Sequence, residues 1–188
     1  MTNNIITFMR NRVSQPSLEA PAPSKTEWET IIDAACRAPD HGAIKPWRFR
    51  IYEGAGLDKL GQVYWQHAKS EVHDLTEDKE AAFVKKAHRA PAILLVYAHI
   101  EQHPKVPAIE QIMATSAAAQ QAILGLNALG YGAMWRSGPA CFTQKTKDLL
   151  NLQETDQIVG LIYVGTPTST PKIPEETDFA SCLEWVTE

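Results

Sequence analysis

Cysteine is scarce in this chain, and what there is forms no pair. Cys36, Cys141 and Cys182 are the three cysteines of 188 residues, and they show neither a CxxC spacing nor that of a metal ligand set. A scattered, odd count argues against a disulfide framework and points to reduced thiols in a cytoplasmic protein. Cys36 falls on the apolar side of a helical pattern, the place of a core residue rather than a nucleophile. An excess of one charge is also lacking. Eighteen Lys and Arg against 22 Asp and Glu leave a formal net charge of −4, so electrostatics gives no reason to expect a nucleic acid or a membrane as partner. The longest strongly apolar run, Ala92 to Ala98, falls far short of the roughly 20 residues that span a bilayer. The stretch Met1-Thr2-Asn3-Asn4-Ile5-Ile6-Thr7 has no basic region followed by an apolar one, and no signal peptide is read there. No internal repeat is apparent. A dinucleotide fingerprint is missing as well: Gly130-x-Gly132 ends a helix and opens a strand, the reverse of a Rossmann loop, and the third glycine is absent.

What is present is the pattern of a globular α/β or α+β protein, 44% hydrophobic and 21% charged, read as a single domain over residues 1–188. Ile5, Ile6, Phe8 and Met9 predict a short first helix, followed by a Pro-rich connector from Pro16 to Pro23. Ser24-Lys25-Thr26-Glu27 is a capping box, and Trp28, Ile31, Ile32 and Ala35 repeat at the spacing of one helix face. Pro39 ends that helix near Ala38, because the residue before a proline avoids helical geometry. Trp47, Phe49 and Ile51 alternate with Arg48, Arg50 and Tyr52 as a half-buried strand. Leu57 to Asp74 and Thr76 to Arg89 read as amphipathic helices. The runs Ala92–Ala98 and Ile158–Val164 are continuous and apolar, the signature of strands covered on both faces. Pro107 to Leu129 is a long Ala-rich helix with Gly130 as its C-cap, Ala133 to Trp135 is strand-like, and Thr143 to Leu150 is a short helix. The tail from Gly165 is rich in Pro and acidic residues but ends in Phe179, Leu183, Trp185 and Val186. Such a tail is expected to dock on its own core or on a second subunit.

Polar chemistry collects at element ends. Arg12-Val13-Ser14 follows the first helix, Arg37 and His41 lie in the Pro-bracketed corner before Pro46-Trp47, and Arg136-Ser137 follows a strand. Guanidinium groups bind phosphate through forked hydrogen bonds, and together these segments suit an anionic organic cofactor. His99, Glu101 and His103 after the Ala92–Ala98 strand invite a metal reading, as in a metal hydrolase. A polar loop entry ended by Pro104 is the simpler account, since spacing places no fourth ligand.

Four segments in order, Arg12-x-Ser14, Arg37-Ala38-Pro39-Asp40-His41 running to Pro46-Trp47-x-Phe49, Gly130 to Gly138, and Val159 to Pro167, resemble the nitroreductase family. The likeness is greatest to its small subgroup of NAD(P)H nitroreductases and covers nearly the whole chain. The resemblance implies an α+β, three-layer fold with a central, mainly antiparallel sheet flanked by helices and a C-terminal tail wrapping the partner subunit. It implies a homodimer with FMN at each subunit interface. It also implies a ping-pong cycle in which NADH or NADPH gives hydride to flavin N5 and a small nitroaromatic or quinone-like acceptor takes the electrons. No protein residue is then the nucleophile. Carried over by position, Arg12, Val13, Ser14, Arg37, His41, Trp135, Arg136 and Ser137 are the FMN-binding residues, the last three contributed across the dimer. Gly125, Leu126, Asn127, Ala128, Leu129 and Gly130 match a stretch assigned to NAD(P). Val13 stands where relatives commonly have Arg. Ala43 and Lys45 replace an Asn and a Gln of the larger relatives, and Lys172 is the only cation near the place of a phosphate-binding basic pair. A non-enzymatic FMN carrier, or a flavin-fragmenting or dehalogenating enzyme on the same fold, is the alternative.

Overall fold

The computed structural model describes residues 4–172, 174–176 and 178–187. The first three residues of the N-terminal stretch and residues 173, 177 and 188 of the tail lie outside the described residues. Its centre is β3 (Ala92–Ala98), whose residues from Ala92 to Val96 have no exposed surface. β3 pairs antiparallel with β2 (Trp47–Glu53) on one side and with β5 (Gln157–Pro167) on the other. β4 (Gly132–Arg136) adds to β5 in the register Gly132 with Gly165 to Arg136 with Leu161. The two-residue β1 (Leu18–Glu19) pairs with the end of β5, Leu18 opposite Pro167. All these pairings are antiparallel, as the resemblance implied.

Alternation along β3 divides the core between two helical layers, since successive side chains point to opposite faces. Ala92, Leu94 and Val96 face α2 (Lys25–Ala35) and α5 (Ala108–Ala128), meeting Trp28, Ile31, Ile123 and Leu126. Ile93 and Leu95 face α3 (Ala55–Glu71), meeting Leu57, Leu60 and Val63. α4 (Glu80–Val84) packs against α3, and α6 (Gln144–Leu149) contacts it too. Ala-rich α5 approaches the sheet closely: Ala118, Ala119 and Ala122 are fully buried.

The local signals behave as physics predicts. Ser24 caps α2: its backbone N–H donates to Glu27 Oε2 at 2.8 Å while its hydroxyl accepts from the Glu27 N–H at 3.4 Å. At the end of α5, the Gly130 N–H donates to the Asn127 carbonyl and the Tyr131 N–H to the Leu126 carbonyl. With Gly130 at φ +86° this is a Schellman cap.

Two expectations are corrected and a third is narrowed. Thr76 to Arg89 is not one helix but a 3-10 turn at Glu77–Lys79, the five-residue α4 and a second 3-10 turn at Ala87–Arg89. A Cβ on Gly61 of α3 would lie 2.9 Å from the Val84 backbone, so α4 runs into α3 and turns there. The connector before α2 holds the short strand β1, which no apolar alternation announced. Of the two dockings expected for the tail, the described residues do not show the one on its own core: Phe179 is 67% and Trp185 81% exposed. α1 (Asn4–Arg10) forms as expected but buries nothing, leaving Ile5, Ile6 and Met9 exposed. Among the described residues no helix is long and apolar enough to cross a membrane.

Candidate functional site

The loop that follows α1 carries Arg12, Val13 and Ser14, and one backbone bond fixes it. The Gln15 N–H donates to the Ala133 carbonyl at 3.0 Å, tying the loop to β4. A Cβ on Gly132 would stand 2.5 Å from Gln15 Oε1 and 2.6 Å from Leu18 Cδ2, so a side chain there would have to displace the ends of both. Beside this junction lies a cavity of about 270 Å³ lined by Arg12, Val13, Asn127, Gly130 and Tyr131 among others. Tyr131 is held by its hydroxyl, which donates to Glu27 Oε2 at 3.0 Å. Burial, and then the Glu27 carboxylate, push the Tyr131 phenol up from its usual range. Hydrogen bonds from Ser24, and then from Tyr131, hold the Glu27 carboxyl below its usual range.

The stretch from Gly125 to Gly130 is thereby divided. Asn127 and Gly130 line the cavity with Arg12, and Ala128 and Leu129 are exposed at the helix end. Leu126 is wholly buried in the core, and Gly125 lies over Ile31, where a Cβ would be 3.5 Å from Ile31 Cγ2. Of that stretch, Asn127 and Gly130 are the residues that line this cavity.

The corner between α2 and β2 is built from unusual backbone. Gly42 has φ +75°, but so do two residues with side chains, Ala43 at +54° and Lys45 at +50°. Left-handed backbone costs an ordinary residue about 1 kcal/mol or more. Three bonds stabilise the corner: the Lys45 N–H donates to Asp40 Oδ2 at 2.5 Å, the His99 N–H donates to the Pro46 carbonyl at 2.8 Å, and His41 Nδ1 lies 2.6 Å from Glu110 Oε2. Glu110 belongs to the first turn of α5, so the long helix positions the His41 ring. Arg37 is exposed beside this corner, and no described carboxylate pairs with it.

At the end of β4 two neighbouring side chains leave on opposite faces of the sheet. Trp135 crosses Gly160: a Cβ there would lie 2.1 Å from Trp135 Nε1. Arg136 turns the other way, its guanidinium 5.4 Å from the centre of the Tyr163 ring. The buried Arg136 Nε atom has no hydrogen-bond partner among the described residues. Arg136 and the exposed Ser137 line a second cavity, between β4, β5, α3 and α4. The structure therefore joins the Arg12 loop to β4 through Gln15, but Arg12 and Arg136 face different cavities, and neither cavity is lined by Arg37 or His41.

His99 has a different partner from the one its sequence neighbours propose. Its Nδ1 lies 2.8 Å from Asp156 Oδ1, while Glu101 Oε1 is 3.8 Å from Nε2. Asp156 is 3% exposed, and its other oxygen accepts from the Gln153 N–H at 3.0 Å. His103 Nδ1 accepts from the Lys105 N–H at 3.2 Å. Among the described residues no group of three His, Cys, Asp or Glu is placed to hold a metal ion. Sequence reasoning missed Asp156 because nothing local links it to His99; the pairing exists only once β3 and β5 lie side by side.

Comparison with known proteins agrees with this architecture. The Escherichia coli K12 protein named "Putative NAD(P)H nitroreductase YdjA" is 34% identical over 181 residues, 94% of this chain and 97% of that one. A nitroreductase-like family protein from Bacillus cereus superposes with a TM-score of 0.85 at 21% identity, covering 100% of this chain and 98% of that one. A structure from Desulfovibrio desulfuricans, solved in complex with FMN, superposes at 0.73 with 19% identity over the whole of both chains. The sequence model of the nitroreductase family matches residues 9–166. Its span takes in the Arg12 loop, the corner and the end of β4, and the chain belongs to the nitroreductase family.

Proposed function

We propose that the protein is an FMN-dependent NAD(P)H oxidoreductase that acts as a homodimer, with the cofactor at the subunit interface and a small nitroaromatic or quinone-like molecule as electron acceptor. The observation that carries this reading is Arg12: a half-buried guanidinium on a loop pinned to β4, facing a cavity, with no described carboxylate partner. A buried or half-buried cation needs a counter-charge, and a phosphate monoester is a dianion that accepts the forked hydrogen bonds of a guanidinium. Arg37 and Arg136 are likewise without a described carboxylate partner, and Arg136 Nε has no hydrogen-bond partner among the described residues. The residues present therefore fit the group. Bound FMN supplies two-electron redox chemistry between a nicotinamide donor and the acceptor; the protein supplies position and charge.

Each residue has a definable part. Arg12 and the exposed Ser14 hydroxyl hold the phosphate end. The Glu110 carboxylate fixes the His41 ring: with the ring neutral, a proton at Nδ1 is donated to Glu110 and Nε2 is left as an acceptor. Trp135, lying over Gly160, sets the direction in which the chain leaves β4 toward Ser137. The relative named as an NAD(P)H nitroreductase supports NADH or NADPH as donor, and the neighbour in complex with FMN supports the cofactor.

One observation favours a second reading. Ala43, at φ +54°, presents only a methyl group at the corner, which suits a carrier of flavin with no turnover. Anaerobic mixing with NADH or NADPH separates the two. Loss of the yellow flavin absorbance, restored by adding a nitroaromatic or quinone, is the expected result. Bound FMN that neither nucleotide bleaches would establish the carrier reading instead.

A further inference from the structure

Gln111, near the start of α5, is 1% exposed, and its amide bonds outside the helix. The side-chain oxygen accepts from the Glu101 N–H at 3.1 Å, and the nitrogen donates to the Glu101 carbonyl at 2.8 Å and to the Val106 carbonyl at 3.2 Å. All three partners are backbone groups of the stretch 99–107, which joins β3 to α5 and forms neither helix nor strand. A side-chain amide paired with both backbone groups of one residue does there what a neighbouring strand does in a sheet. The other end of the stretch is held by His99, whose N–H donates to the Pro46 carbonyl and whose ring meets the buried Asp156.

The stretch in turn supports the corner between α2 and β2. A Cβ on Gly42 would lie 3.3 Å from Val106 Cγ2 and 3.9 Å from His103 Cε1, so the chain beside His41 rests on the span that Gln111 ties down. With Gly42, Ala43 and Lys45 all in left-handed backbone, the shape of the corner depends on what packs against it. Glu110 holds the His41 ring directly, and Gln111, the next residue of α5, holds the surface beneath it. Without the Gln111 amide, three backbone groups of the stretch lose their partner, and the stretch must shift to regain bonds with water.

We propose that Gln111 is a positioning residue for the flavin-binding corner: it fixes the stretch 99–107, which seats Gly42 and through it sets the place of the His41 ring. The inference rests on the proposed flavin reading and adds to it a residue outside the proposed contact set. It is tested in the full-length protein by NMR of the histidine ring nitrogens at a fixed pH, before and after saturation with FMN, with the His41 signals identified by their loss in His41→Ala. Gln111→Met, which keeps the length of the side chain without its hydrogen bonds, is expected to shift the His41 ring signals even without added FMN and to weaken FMN by about ten-fold. In the His41→Ala background the same substitution is expected to have little further effect on FMN affinity, the non-additivity of residues that act through one another. Val106→Ala keeps the Val106 carbonyl and removes the Cγ2 that meets Gly42; it is expected to shift the His41 signals as well, and it tests the same route should Gln111→Met not fold. Ile93→Val, a buried change in β3 on the face toward α3, is expected to leave those signals unmoved. Unshifted His41 signals in a folded Gln111→Met or in Val106→Ala, a shift of equal size in Ile93→Val, or an equal loss of FMN affinity with and without His41 would each overturn the proposal. A protein that takes up no FMN would overturn the flavin reading, while the His41 signals without cofactor would still decide whether Gln111 holds the corner.

Discussion

At the scale of single residues, the site's placement depends on close approaches that leave little room for a side chain and on cations with no described carboxylate partner. Gly160 illustrates the first. The sequence shows it as one residue of an apolar strand, and nothing nearby explains a glycine there. The reason lies on β4, where Trp135 crosses it with Nε1 2.1 Å from where a Cβ would be. Gly160→Ala should cost roughly 1–3 kcal/mol, the usual penalty of overpacking, and should shift the Trp135 fluorescence. A variant as stable as the parent, with unchanged emission, would show that the indole does not depend on that contact. Arg12 illustrates the second. Its proposed role came from the resemblance, since a guanidinium two residues from a hydroxyl just past a helix is by itself as well explained by a solvated basic turn. Arg12→Ala should weaken FMN by about 1.5–3 kcal/mol through loss of a charge-assisted bond to phosphate; fluorescence titration of the apoprotein measures this, and unchanged affinity would remove Arg12 from the site. The His99 and Asp156 pair could not be read in advance. Spacing drew attention to Glu101 and His103, whereas the buried partner comes from the approach to another strand.

At the scale of elements, legibility followed how local the determinants are. The α2 cap, the α5 terminus and both buried strands depend on residues within one turn or one alternation, and the structure forms them as the pattern implies. Ser24→Ala should destabilise the protein by about 1 kcal/mol at neutral pH. The pH dependence has a definite sign. Hydrogen bonds from Ser24 are the leading cause that holds the Glu27 carboxyl below its ordinary value of 4.5. The stabilisation is therefore full above 4.5 and is lost as pH falls through the lowered folded value. Denaturant unfolding of parent and variant should show a difference that narrows as the pH is lowered below 4.5; a difference that stays constant or widens would contradict the role of Glu27 in the cap. The elements that escaped sequence reading are governed from a distance. α4 stops at Val84 because its backbone meets α3 at Gly61, and β1 exists because Leu18 and Glu19 lie against the end of β5. Neither contact leaves a local periodic trace.

At the scale of the whole molecule, the interleaving of helices and apolar strands left α/β and α+β both open, and the antiparallel α+β arrangement was legible only through the resemblance. The arrangement of the site was not, because its segments are not gathered within one chain. Arg12 and Arg136 face separate cavities, and the His41 corner lines neither. Ile5, Ile6 and Met9 of α1, Ile109 and Met113 of α5, and Trp185 and Val186 of the tail are exposed apolar residues, and the proposed homodimer predicts that some of them are covered by a second copy. Ending the chain at Thr170 keeps β5 and its pairing with β1 but removes the tail. Sedimentation should then find the full chain dimeric and the shortened one with a weakened or absent dimer; an equally stable shortened dimer would show that the tail takes no part in association.

The account as a whole predicts that the arginines without a described carboxylate partner serve a phosphate-bearing flavin. The most direct measurement is the cofactor content of the purified protein, read as flavin released on denaturation, identified as FMN by chromatography and divided by the protein concentration. The account predicts FMN at a ratio close to one per chain after incubation with excess FMN and gel filtration. A colourless protein that takes up no FMN under those conditions would contradict it.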